Sequence, residues 1–154
     1  MRLHPGIACV TIFILCTQLV AADDLSRAFV YAQRETPARS WMPIGCDGQN
    51  IAEVKRGFFF SMNLRPGRHL LSLEDGVPIS IDVRPAVETY VRVDWNYDVR
   101  RSPIPVLSSV TEERAKKEMR FLSYVETKRI HSPTVSNADP RPSVSSQLKT
   151  RQQP

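Results

Sequence analysis

Three turn dipeptides, Asp47-Gly48, Pro66-Gly67 and Asp75-Gly76, each separate short runs rich in β-branched and aromatic residues. Asp-Gly tolerates positive φ at both central turn positions and so closes tight hairpins. Pro-Gly presets the first central residue and leaves the second free to turn left-handed. A chain punctuated in this way reads as consecutive antiparallel strands.

The period of the intervening runs agrees. From Phe58 to Leu64, Phe58, Phe60, Met62 and Leu64 fall on one face and Phe59, Ser61 and Asn63 on the other. Further strands are expected near residues 27–33, 42–46, 51–55, 68–73, 77–83 and 89–95. Pro78 lacks a backbone donor, which places its strand at an edge or starts it after the proline. A short strand is expected at Pro105-Val106-Leu107. Ser109 and Glu112 have capping-box spacing, and Ala115, Met119 and Leu122 form one apolar stripe, so a short helix is expected near residues 110–120. Residues 121–125 fit a helix extension or a last strand equally. Both faces of the Phe58–Phe60 region are apolar, which calls for two packed sheets. The expected fold is all-β: a small antiparallel β-sandwich of about seven strands with one short C-terminal helix.

The ends differ from this body. Residues 1–22 read as a secretory signal peptide: Arg2, an apolar run from Ile7 to Val20, then Val20-Ala21-Ala22. At helical rise the run reaches roughly 21 Å, short of a bilayer core. Membrane attachment would require an uncleaved leader or a lipid on Cys16, and bulky Leu15 before that cysteine disfavours the lipid. Residues 128–154 hold Pro133, Pro140, Pro142 and Pro154 among polar residues, and Ile130, Val135, Val144 and Leu148 follow no period. Such a composition predicts a disordered basic tail. One domain is expected between, over residues 23–127.

The net charge of +5 sits in the leader and the tail, where Lys128, Arg129, Arg141, Lys149 and Arg151 outnumber Asp139. The body is balanced and has no field to steer it onto nucleic acid. Cys9 and Cys16 lie in the leader. Cys46, the cysteine left in the body, shares a face with Met42 and Ile44 and is expected to be buried rather than paired.

No catalytic, cofactor or metal residues are assigned. Cys46 and His69 could make a nucleophile–base pair only with a third group to orient the imidazole, and none is evident locally. Asp94, Asn96 and Asp98 alternate as a calcium loop begins, but Val99 and Pro105 stand where Gly and Glu are needed. Among the aromatic residues Trp41, Tyr90, Trp95 and Tyr97, Trp95 falls in phase with Val91 and Val93. Trp41 and Tyr97 lie in expected loops and are the candidate ligand-facing residues.

The order of motifs resembles a bacterial family of exported proteins, domain of unknown function 2846. The matching stretches are Phe29-Val30-Tyr31, Cys46-Asp47-Gly48, Gly57-Phe58-Phe59-Phe60, Arg65-Pro66-Gly67-Arg68-His69, Val83-Arg84-Pro85, Thr89-Tyr90-Val91-Arg92 and the helix at Glu112–Met119. The resemblance spans about residues 27–125 and implies a β-sandwich-like domain of the periplasm or cell surface with no established activity. It also implies a likeness to sandwich modules that accompany envelope proteins and peptidases. The segment Arg84–Glu88 departs from it, because members tend to carry a Gly there. The expected role is a non-enzymatic cell-envelope module that meets a protein partner or serves structurally. The alternative is a carbohydrate- or peptidoglycan-binding module using Trp41 and Tyr97.

Overall fold

A computed structural model describes residues 25–37, 40–74, 76–97 and 103–141. The expected leader, Asp98 and the last part of the expected tail lie outside them. Two sheets face each other. The first has the order β8-β7-β1-β4-β9, built from β1 (Ser26–Ala32), β4 (Phe58–Leu64), β7 (Thr89–Asn96), β8 (Ile104–Val110) and β9 (Ser123–Tyr124). The second has the order β3-β2-β5-β6, from β2 (Met42–Cys46), β3 (Gln49–Val54), β5 (Gly67–Leu73) and β6 (Ile79–Val83). One helix, α1 (Glu112–Met119), follows β8.

The small β-sandwich with one short helix is the fold that forms. It has nine strands among the described residues rather than about seven, and it is not wholly antiparallel. β1 runs parallel to β7, with Val30 opposite Val91, and β4 runs parallel to β9. Pro66-Gly67 also departs from expectation. That turn closes no hairpin: β4 pairs with β1 in one sheet, and β5 pairs with β2 and β6 in the other. The chain therefore changes layer there. Asp47-Gly48 does close a tight hairpin between β2 and β3, with φ of 50° and 81° at its two residues.

The alternation in β4 sorts its side chains as expected. Phe60, Met62 and Leu64 enter the core between the sheets with Val30, Val91, Val93, Ile44, Leu71 and Ile81. The opposite face is covered by α1 and not by a second sheet. There Phe29, Tyr31, Phe59 and Tyr90 pack against Ala115, Met119 and Leu122. Phe29 and Tyr90 stack at 5.0 Å between centroids. β1 is consequently buried on both faces.

The capping box does not form. Ser109 is held in β8 opposite Val91, and Thr111 takes the N-cap position without a side-chain bond. β8 also runs three residues beyond Leu107, through polar Ser108 and Ser109. β6 is an edge strand and starts after Pro78; Val77 lies outside it and is exposed.

The expected boundary at Thr127 fails as well. Residues 123–141 form a strap along one side of the sandwich. Val125 N–H donates to Phe59 O, His131 N–H to Ile51 O, and Ser136 N–H to Ser61 O, each at 2.9–3.0 Å. Ile130 bridges Ala52 of β3 and Val135 bridges Met62 of β4. Val135 is 1% exposed, an apolar plug among the polar residues that follow Ile130. Composition missed it because one buried side chain and a ladder of backbone bonds need no period. The Arg141 guanidinium then reaches back to the carbonyl oxygens of Met119 and Leu122, both at 2.9 Å, and lies over the Phe59 ring. This satisfies carbonyls at the C-terminal end of α1 with a cation, the sign its dipole favours.

Candidate functional site

Three places on the sandwich hold chemistry that packing alone does not use. The first is at the β2–β3 turn. Cys46 ends β2, and Asp47 follows with its N–H donating to Leu70 O at 2.9 Å. Asp47 Oδ1 accepts the Leu70 N–H, also at 2.9 Å, so the carboxylate is fixed against β5. Oδ2 lies 2.7 Å from His69 Nδ1 and accepts the Cys46 thiol at 3.7 Å. His69 Nε2 donates to the Arg65 carbonyl oxygen at 2.8 Å.

Asp47 is thus the third group that the chain's local spacing did not reveal. The sequence reading treated it as a turn residue only; the pairing of β2 with β5 brings it to His69, 22 positions on. The arrangement is not a nucleophile–base pair. Both imidazole nitrogens are engaged, neither with the thiol. Burial, reinforced by Asp47, pushes the Cys46 thiol up to about 12, the wrong direction for a nucleophile. Burial weighs against charge on His69, but Asp47 and the Arg65 carbonyl outweigh it and raise its pKa above 6.5. The His69 bond, then the Leu70 N–H, holds the Asp47 carboxyl below 3.8. Cys46 itself is buried and free, as expected.

The second place is a cleft of about 380 Å³ lined by Trp41, Met42, Leu73, Glu74, Trp95 and Pro105 among others. Trp41, just before β2, and Trp95, on β7 of the other sheet, are half-buried and both line it. Trp95 Nε1 is buried and has no acceptor among the described residues. Lys55 and Arg129 sit over the Trp41 ring at 4.5 and 4.6 Å, and Phe58 tilts against it. Tyr97 is exposed but does not line this cleft. Of the two candidate ligand-facing residues, Trp41 lines this cleft and Tyr97 does not, and Trp95 lines it in addition. Tyr90, another candidate ring, is buried beneath α1.

The third place is the open side of the sandwich. The strap covers β3 and β4, but no described residue pairs with the outer side of β8. Its seven residues, Ile-Pro-Val-Leu-Ser-Ser-Val, carry no charge. Nearby charges do not blunt this edge. Arg92 and Asp94 lie on β7, one strand in, and bind each other at 2.7 Å. Arg92 also meets Glu118 of α1 at 3.0 Å, and Glu118 accepts the Tyr31 hydroxyl at 2.6 Å. This network fastens α1 to the sheet.

No family model, curated protein or solved structure matches the chain. No described helix is long and apolar enough to cross a membrane.

Proposed function

We propose that this protein is a non-enzymatic module exported to the cell envelope, which binds an extended segment of a protein partner along β8. The single observation carrying this reading is the uncharged, unpaired outer side of Ile104–Val110. Open edges are ordinarily blunted by charge, proline or cover, because their free N–H and C=O groups template pairing. The strap supplies cover to β3 and β4, and β6 has Pro78 before it and Asp82 within it. On β8 only Pro105, near the start, opposes pairing. A partner strand would gain backbone bonds along Val106–Val110 and specificity from alternate side chains. Export rests on the apolar leader and on the resemblance to domain of unknown function 2846.

A photo-crosslinker placed in β8 should capture an envelope protein. Ser109 is exposed, so Ser109→Lys should abolish capture without changing the melting temperature. Capture indifferent to that lysine would refute the edge reading.

The alternative is a glycan- or peptidoglycan-binding module. The presence of Trp41, Trp95 and Glu74 in the lining of one cleft favours it. Tryptophan fluorescence that shifts with cell-wall fragments, and no longer does so in Trp41→Ala, would make this the better reading.

A further inference from the structure

His69 is gripped at both ring nitrogens by oxygen atoms of its neighbours. The Arg65 carbonyl oxygen can only accept, so the Nε2 facing it at 2.8 Å must hold a proton. In a neutral ring Nδ1 is then a bare lone pair. It points at the Asp47 Oδ2, a carboxylate oxygen, from 2.7 Å. Two acceptors cannot sit that close without something positive between them. A proton on Nδ1 meets that need in the ion pair with Asp47; a metal cation takes its place only once the two donors part.

The surroundings suit the cation. Cys46 Sγ, Asp47 Oδ2 and His69 Nδ1 lie within 4.8 Å of one another. That is one sulfur, one oxygen and one nitrogen donor, the mixture that selects a borderline transition metal over calcium or magnesium. Each donor is also held from behind. Asp47 Oδ1 is tied to the Leu70 N–H, and His69 Nε2 to the Arg65 carbonyl, the kind of outer contact that orients a ligating imidazole. Cys46 sits on the terminal residue of a strand in the core. One side stays open. Asp47 and His69 line a cleft of about 490 Å³ with Leu25, Asn63, Arg65 and Thr134, where a water or an outside ligand could complete the shell.

We propose that Cys46, Asp47 and His69 form a three-ligand site for a divalent transition-metal ion of the zinc class, with its fourth position open to that cleft. Binding forms Sγ–metal, Oδ2–metal and Nδ1–metal bonds. The thiol proton and any proton on Nδ1 leave to solvent, and no electron is transferred. Tetrahedral ligation at about 2.0–2.3 Å needs donors roughly 3.3 Å or more apart. The Nδ1–Oδ2 pair must therefore open by about 0.6 Å, a small rotation at the exposed Asp47. The site goes beyond the edge-binding reading and does not depend on it.

Cobalt(II) tests this directly, because a thiolate ligand gives it a near-ultraviolet charge-transfer band. The untagged protein, reduced and stripped with chelator, should bind one equivalent of cobalt with that band and release it to zinc. Zinc should raise the melting temperature. Cys46→Ser should lose the band. His69→Gln, which keeps an amide donor for the Arg65 carbonyl, and Asp47→Asn, which tolerates the turn, should each weaken binding by about ten-fold or more. His131→Gln is the control, since His131 and Glu53 make a second His–carboxylate pair at 3.2 Å. No band at excess cobalt, or affinity unmoved in folded His69→Gln, overturns the proposal. So does binding lost in His131→Gln and kept in His69→Gln.

Discussion

Replacing Val135 by Ala separates a structural strap from a disordered tail. Val135 is 1% exposed and lies against Met62 in the core between the sheets. The substitution removes two methyl groups. At about 0.8 kcal/mol for each buried methyl-sized group, the transfer loss is about 1.6 kcal/mol. The vacated space adds to this unless the neighbours close over it, so about 2 kcal/mol is expected, within a range of about 1.5–3. For a domain of this size that is a fall in melting temperature of about 8 °C, within a range of about 6–12 °C. Val77→Ala is the matched control, because Val77 is 64% exposed and the same two methyls already face water. It should change stability by less than about 0.5 kcal/mol. Thermal melts followed by circular dichroism measure both. If the two variants melt together, Val135 does not plug the core, and the strap and its bonds to β3 and β4 are wrongly placed.

Three further outcomes follow from the geometry. Ala86 has φ of 58°, in the left-handed region that favours glycine; Ala86→Gly should stabilise by roughly 0.5–1 kcal/mol, read as a higher denaturant midpoint at unchanged slope. Burial raises the pKa of Glu118, but bonds from Tyr31, Arg114 and Arg92 outweigh it and hold the carboxyl below 4.5. The unfolded chain then takes up this proton first on acidification, so the contribution of Glu118 is complete above pH 4.5 and is lost as pH falls through its lower folded value. Glu118→Gln should therefore lower stability at pH 7 and flatten the fall of melting temperature between pH 5 and about 3; parallel pH profiles would contradict this. Cys46 is 7% exposed with its thiol pushed up to about 12, so the metal-free folded protein at pH 8 should alkylate at least about a hundred-fold more slowly than the unfolded chain; equal rates would show an open thiol.

Much of the fold was legible because period-2 alternation acts locally. The bounds of β2 and β4 followed from Met42–Cys46 and Phe58–Leu64 alone. What alternation cannot say is which strand lies beside which. Pro66-Gly67 carries the same turn signal whether the chain doubles back or changes sheet, and here it changes sheet. The parallel pairing of β1 with β7 depends on a backbone meeting across about sixty residues, and no turn dipeptide marks it. The polar residues Ser108 and Ser109 shortened the reading of β8, since an edge strand does not need an apolar face throughout. Cys46 and His69 stood out by chemistry, but Asp47 had a sufficient local reason to be Asp. Its second role appears only when β5 is laid against β2. Trp41 and Trp95 likewise come to line one cleft through the facing of the two sheets, which no spacing in the chain encodes.

The strap imposes an order on the birth of this protein. Its residues are made after the strands whose sides they close. Until Val135 has left the ribosome, β3 and β4 keep open flanks and Met62 lacks its lid. A half-finished chain therefore offers sticky borders to its neighbours, and the sandwich seals itself only when synthesis of the strap is complete.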